Sequence, residues 1–406
     1  MSEAPLRVAI VGGGIGGLTA AIALSRKGIA VQVLEQAEEI RRVGASIDLG
    51  PNAVRLLDAL GISGARRVGV RPDAIELLRW SDGSVLVRTP HGAEAEGAFG
   101  APLLDFFRPD LVRVLLEELS PGTLVLGARV RAVEDGDGAV AVALADGRRV
   151  AADAVVAADG IRSTIRQSLV GADDPVFSGT VVYRGVVPRA DVEDVHPDRV
   201  NRYWLGPRRH VVSYWIGAGE LLAVNLAVQE AEWARESWTD EAEADEALAY
   251  FEGWNESVLT RIRRCPTFLR GAVFVRRPLD RWTFGRVTLL GDAAHAMEPF
   301  QAQGAAQAIE DAYVLAESLD GVGPADVGAA FERYEHVRTS RAGELQASSS
   351  AAARNFYLDD GEEQRARDES YRSLHATHPW GFRQAIWEHD VRNALRSAGE
   401  EAGWAR

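Results

Sequence analysis

The chain has 406 residues, with 45 lysines and arginines against 59 aspartates and glutamates, for a net charge of −14. That length exceeds one ordinary α/β unit and predicts two interlocked domains. The acidic balance argues against nucleic acid and against an anionic membrane surface, because both demand a concentrated basic face; an anionic small molecule would need only a local basic patch. Residues 6–11 read as a buried strand, short, apolar and ended by glycine. Five glycines fall between positions 12 and 17, so the apolar stretch 8–25 is strand, turn and helix, not a membrane span. Residues 15–26 read as a helix stopped by Gly28, and 30–34 as a second strand ending on Glu35. That is a βαβ unit of a parallel sheet. Residues 124–159 alternate apolar runs with Asp135-Gly136, Asp137-Gly138 and Asp146-Gly147, the pattern of an antiparallel meander. Residues 180–188 and 209–228 read as strands, the second broken at Gly217-Ala218-Gly219. The acidic stretch 229–250 reads as a solvated helix. A buried strand returns at 287–290, ended by Gly291-Asp292. A helix follows from Gly304 through Ile309, Val314 and Leu315, and helix-favouring sequence runs to the C-terminus. A strand of the first domain near position 290 places the second domain as an insertion into the first.

Cys265 is the one cysteine. It has no disulfide partner, no Cys/His cluster has zinc spacing, and no metal is expected. A reduced, cytoplasmic setting follows, and 1–5 lacks the basic start of a signal peptide.

Three motifs carry chemistry. Gly12-x-Gly14-x-x-Gly17 follows a strand and opens a helix, which lets backbone and helix dipole meet a pyrophosphate. Glu35 lies where a carboxylate accepts from ribose hydroxyls. This element alone fits NAD or FAD equally. Asp159-Gly160-Ile161-Arg162-Ser163-Thr164-Ile165-Arg166 closes an apolar strand, with Ser163 placed to cap a helix. Gly291-Asp292-Ala293-Ala294-His295 again follows a strand. Asp292 there is either a polyol acceptor or a helix cap.

Together, in this order and spacing, the three motifs resemble the class A flavoprotein aromatic hydroxylases of the para-hydroxybenzoate hydroxylase fold. Within that group the chain is most similar to salicylate, 3-hydroxybenzoate and 6-hydroxynicotinate hydroxylases. Val43-Gly44-Ala45, Pro51-Asn52-Ala53, Arg108-Pro109-Asp110-Leu111, Tyr183-Arg184-Gly185 and Pro278-Leu279-Asp280-Arg281-Trp282 match stretches typical of those enzymes. The resemblance implies an α/β (α+β) chain. A Rossmann-like FAD-binding domain would take 1–75, 101–176 and 270–345. An inserted antiparallel-sheet substrate domain would take 76–100 and 177–269, and a helical C-terminus 346–406. It implies FAD as cofactor, NADH or NADPH as a transient co-substrate, and O2 delivered to a small aromatic substrate through a flavin C4a-hydroperoxide. No nucleic acid or membrane partner is implied, and the chain would be a monomer or homodimer.

Roles carry over by position. Gly12, Gly14 and Gly17 approach the FAD pyrophosphate, Gly16 lies in the same loop, and Glu35 takes the adenosine ribose. Arg108 reaches the phosphate and ribityl region, Val130 contacts the adenine, and Asp48 faces the flavin. Asp292 binds the ribityl chain, and Asp159 belongs to the motif shared by FAD and nicotinamide binding. Ala302-Gln303-Gly304 is followed by Ala305-Ala306 where the wider pattern has an asparagine. Gly304 keeps its backbone donor, and a role for that asparagine side chain is lost. His210 and Tyr214 lie four apart in one strand, hence on one face with Val212 between them. They match the histidine and tyrosine beside the substrate in the 3-hydroxybenzoate and 6-hydroxynicotinate enzymes, with His210 as base or phenol-binding group. Pro299 shapes the loop over the flavin. His295 reads as structural. Arg184, Arg208 and Arg209 read first as surface cations, although each could pair with a carboxylate. A tailoring hydroxylase or epoxidase of a larger metabolite stands as the alternative within the fold, and a flavin dehydrogenase or a non-catalytic FAD-binding protein outside it.

Overall fold

The computed structural model describes residues 5–40, 46–136, 138–233 and 240–402. Val43-Gly44-Ala45 and Asp137 therefore lie outside the described residues, as does Trp404.

A six-stranded sheet runs in the order Thr283–Phe284, Val287–Leu289, Ala154–Ala157, Arg7–Val11, Ala30–Leu34, Leu124–Val125. All its pairings are parallel except the Thr283–Phe284 hairpin. The two central strands are continuous apolar runs because helices or sheets cover both their faces; Ile10, Val155 and Val156 are fully buried. Helix Ile15–Arg26 packs on helix Gly304–Leu319.

The meander expected over 124–159 is shorter than its sequence pattern. Only Val130–Asp135, Val140–Leu144 and Arg149–Ala152 form the antiparallel sheet. The flanking pieces at 124–125 and 154–157 join the parallel sheet. Ala154–Ala157 is buried at every position, which suits a central parallel strand better than a half-solvated hairpin.

An eight-stranded sheet follows the order Asp240–Ala242, Phe268–Val275, Val176–Pro188, Leu221–Gln229, Arg209–Ile216, Val200–Gly206, Ala74–Arg79, Val85–Pro90. The break at Gly217-Ala218-Gly219 is a turn with all three residues at positive φ, reversing the chain between paired strands. The acidic stretch departs from expectation in its described part. Residues 240–242 form an edge strand against Phe268–Val275, and only Ala244–Ala249 is helical. Ala242 is buried there, and the strand covers a sheet edge that would otherwise expose its backbone.

Helices Val327–Phe356, Glu362–Thr377, Arg383–Glu388 and Val391–Ala402 complete the chain. The tryptophans among their charges pack inward. Trp380 and Trp387 meet the Phe99 ring edge-on at 4.8 and 5.5 Å, and Trp380 Nε1 donates to the Pro90 carbonyl at 3.0 Å. Among the described residues, no helix is long and apolar enough to cross a membrane.

Candidate active site

The parallel sheet ends on one side of a cavity of about 570 Å³, and the eight-stranded sheet forms its opposite wall. Of the residues singled out from sequence, Gly14, Gly16, Gly17, Asp48, Arg108, His210, Tyr214, Asp292, Pro299 and Gly304 line it together. Gly12, Glu35, Val130 and Asp159 stand off its wall.

The glycine turn is built by close approach. Gly12 has φ +110°, and a Cβ on it would sit 2.2 Å from the Ala158 carbonyl oxygen. A Cβ on Gly17 would sit 2.1 Å from the Gly12 oxygen. Only glycine permits that contact between turn, helix and neighbouring strand. At Gly14, by contrast, a Cβ would meet nothing within 4 Å, and no side chain caps the helix it opens. An uncapped helix N-terminus facing open space is the arrangement that accepts a phosphate. Gly304 opens a second uncapped helix onto the same cavity. Glu35 accepts from Gly13 N at 2.7 Å and Ala37 N at 2.8 Å, which fixes its carboxylate beside the turn.

The second and third motifs are tied to each other. Ser163 caps helix Thr164–Val170 by accepting from Arg166 N at 2.9 Å. The buried Arg166 guanidinium then donates to the carbonyls of Ala293 and Ala294 at 3.0 and 2.9 Å. Asp159 accepts from Thr164 N at 3.0 Å, while its Oδ1 is buried without a protein partner. Burial raises that carboxyl above its ordinary range.

Arg108 and Asp292 both line the cavity and are exposed to it. Desolvation lowers the guanidinium and raises the carboxyl, and each offsets part of the other's shift by its charge. His295 belongs to the scaffold: its Nε2 meets Asp311 Oδ2 at 2.6 Å, and the same oxygen accepts from Gly291 N at 3.0 Å. Arg338 bridges Asp311 and Glu310 at 2.8 Å each. Asn52 donates to Glu310 and to Gln303 at 2.7 and 3.1 Å. This buried network sets the loop before Gly304 without the missing asparagine.

The opposite wall follows the two-residue period of its strands. His210, Val212 and Tyr214 face the cavity, opposite Ala227, Asn225 and Ala223 of the next strand and next to Tyr203. The His210 ring lies among Phe300, Phe356 and Tyr357, with centroids 5.4 to 5.6 Å away, and its Nδ1 has no protein partner. Burial lowers the imidazole to about 3, so it is neutral at pH 7. Tyr214 donates to Ser46 Oγ at 2.7 Å, and Asn225 Nδ2 donates to the same oxygen at 2.8 Å. Asp48 stands opposite Asp105 in the ladder between Ser46–Leu49 and Leu104–Phe107. Burial raises Asp48 to about 6, and burial plus the nearby Asp48 raises Asp105 well above a carboxylate's usual range. Asn201 donates to Asp105 at 2.9 Å.

The arginines divide. Arg184 lines the cavity, where burial and the neighbouring Arg108 bring it down to about 10; it is no surface cation. Its strand alternates Val182, Arg184 and Val186 toward one face, and that face is the cavity's. Arg208 and Arg209 are off the wall. Sequence reasoning missed Ser46, Tyr203, Asn225, Phe300 and the three C-terminal contributions, Phe356, Arg383 and Trp387. Asn225 carried a faint signal, as a polar residue in the middle of an otherwise apolar strand.

A model of the family described as FAD binding domain matches residues 5–349. A 3-amino-4-hydroxybenzoate 2-monooxygenase of Streptomyces platensis is 43% identical over 365 residues, covering 90% of this chain and 92% of that one. A 3-hydroxybenzoate 6-hydroxylase of Polaromonas naphthalenivorans is 38% identical over 402 residues, covering 97% and 99%. The solved structure of a salicylate hydroxylase substrate complex superimposes with a TM-score of 0.83 at 30% identity, covering 98% of both chains.

Proposed function

The chain belongs to the FAD binding domain family and is an FAD-dependent aromatic monooxygenase, and on that footing we propose that it hydroxylates a small phenolic or N-heteroaromatic acid. The observation that carries this reading is the cavity itself. One wall has two uncapped helix ends, and the other has an apolar sheet face bearing His210 and Tyr214. The residues fit FAD. Open space at Gly14 and the unpartnered Oδ1 of Asp159 are what a bound dinucleotide would use.

Gly12, Gly14, Gly16 and Gly17 would hold the pyrophosphate, Glu35 the adenosine ribose and Val130 the adenine. Arg108, Asp292 and Asp159 would hold the phosphate and ribityl region, and Gly304 and Asp48 would face the flavin ring. Bound FAD, reduced by NADH or NADPH, supplies activated O2, one atom of which enters the substrate. The chain's own groups do the rest. Val212, Ala227 and Phe300 present apolar surface to the ring. His210 accepts from the phenol through a neutral nitrogen, which polarises the oxygen without a standing charge. Tyr214 is fixed by Ser46, which Asn225 holds in turn, so its hydroxyl position is set before substrate arrives. Pro299 begins the short turn beside Phe300 and limits its movement. Buried Cys265 suits a cytoplasmic setting.

The test is a panel of hydroxybenzoates, aminohydroxybenzoates, hydroxynicotinates and larger phenols, scored by stimulated NAD(P)H oxidation and by product carrying one oxygen atom from O2. Small acids should give coupled product. Turnover without oxygen, using an artificial electron acceptor, would point instead to a dehydrogenase.

A further inference from the structure

Three arginines line the cavity: Arg108, Arg184 and Arg383. Arg108 and Asp292 act on each other by charge, and Arg184 is disfavoured by the charge of Arg108. Arg383 is placed differently. It begins helix Arg383–Glu388, is only 8% exposed, and its guanidinium carbon lies 5.7 Å from the centroid of the Tyr203 ring. Phe382 flanks it at 4.7 Å. Tyr203 pairs with Val212, which sits between His210 and Tyr214 on the cavity face. The chain therefore carries a buried cation from its C-terminal helices to the sheet face where an aromatic ring would lie.

We propose that Arg383 binds the carboxylate of the aromatic acid and so sets the ring's orientation against His210. This rests on the function proposed above. An arginine held between aromatic rings keeps its planar fork in a fixed orientation and loses little entropy on pairing with a carboxylate. A buried charge in a chain of net charge −14 also supplies the local attraction that an anionic substrate needs. Asp48 is the competing group, since its charge and that of Arg383 act on each other across the same end of the cavity. The assignment therefore predicts opposite effects from the two residues.

The experiment measures dissociation constants by perturbation of the flavin absorbance in FAD-loaded enzyme, with kcat and KM alongside. The probes are 3-amino-4-hydroxybenzoate, 3-hydroxybenzoate and 6-hydroxynicotinate, each beside its decarboxylated counterpart: 2-aminophenol, phenol and 2-hydroxypyridine. Arg383→Gln should weaken the preferred acid on the order of 30-fold or more, the loss typical of a truncated buried charge pair. The counterpart should change by less than about threefold, and FAD content and Tm should be retained. Arg383→Lys should restore part of the preference, because it keeps the charge and loses the fork. Asp48→Asn should bind the acid as tightly or more tightly. Equal losses for acid and counterpart in Arg383→Gln, or an unchanged acid affinity, overturn the assignment. A wild-type enzyme that binds none of the three acids overturns the parent reading and this assignment with it.

Discussion

Arg338 donates from Nε to Oδ1 of Asp311 at 2.8 Å, and both side chains are fully buried. Through its other oxygen, Asp311 also holds Gly291 N and His295. One ion pair thus fixes the backbone that presents Asp292. Removing one partner of a buried pair leaves an uncompensated charge, at a cost of about 3–5 kcal/mol. Arg338→Ala should therefore lower stability by that order and release FAD. Urea unfolding and flavin content of the purified variant check it. A variant with unchanged midpoint and full flavin would show that the network is dispensable.

Gly17→Ala tests the turn. Its new methyl would lie 2.1 Å from the Gly12 carbonyl oxygen, so backbone on one side must move. The expected product is a folded chain without bound flavin, read from the visible absorption spectrum. Gly28→Ala is the control at a glycine whose Cβ would meet nothing within 4 Å; it should keep its flavin despite some strain at positive φ.

His210 should be invisible in the pH profile. Burial brings it to about 3, so it stays neutral from pH 5 to 9, and no inflection near its ordinary value of about 6.5 should belong to it. His210→Ala should keep FAD while slowing hydroxylation on the order of 100-fold or more. A rate unchanged at saturating substrate removes it from the chemistry.

Asp48 gives a pH signature in stability. Its folded value is raised to about 6 from 3.8, so the fold favours the protonated form. The stability this contributes is complete below the unfolded value, and it is lost as pH rises through the window from 3.8 to about 6. Asp48→Asn should lose this part of the pH dependence. Chemical unfolding of both proteins at pH 4.5 and pH 7 checks the sign: the variant should gain on the wild type at the higher pH.

Parts of both walls were legible because their signals are local. Glycines at fixed spacing and a two-residue alternation placed Gly14, Gly17, His210 and Tyr214 on the cavity from sequence. The acidic stretch misled because charge reports solvation, whereas the edge strand at 240–242 is held by backbone hydrogen bonds that any side chain permits. Arg184 misled because lone arginines are commonly exposed; its alternation with Val182 and Val186 was the better guide. Asp48 and Asp105 meet by strand register, which two short segments 57 positions apart do not announce. Arg383 sits in no motif at all. Its place depends on how Trp380 and Trp387 seat the last helices against Phe99.

That seating has a consequence for the order of synthesis. The glycine turn of the first motif and both later motifs are made well before Arg383 and Trp387. A nascent chain stopped at residue 380 would hold the whole dinucleotide cradle and lack the final side of the chamber. Loss of the last helices would therefore bear on substrate discrimination before flavin retention, and a chain shortened at its end would separate the two.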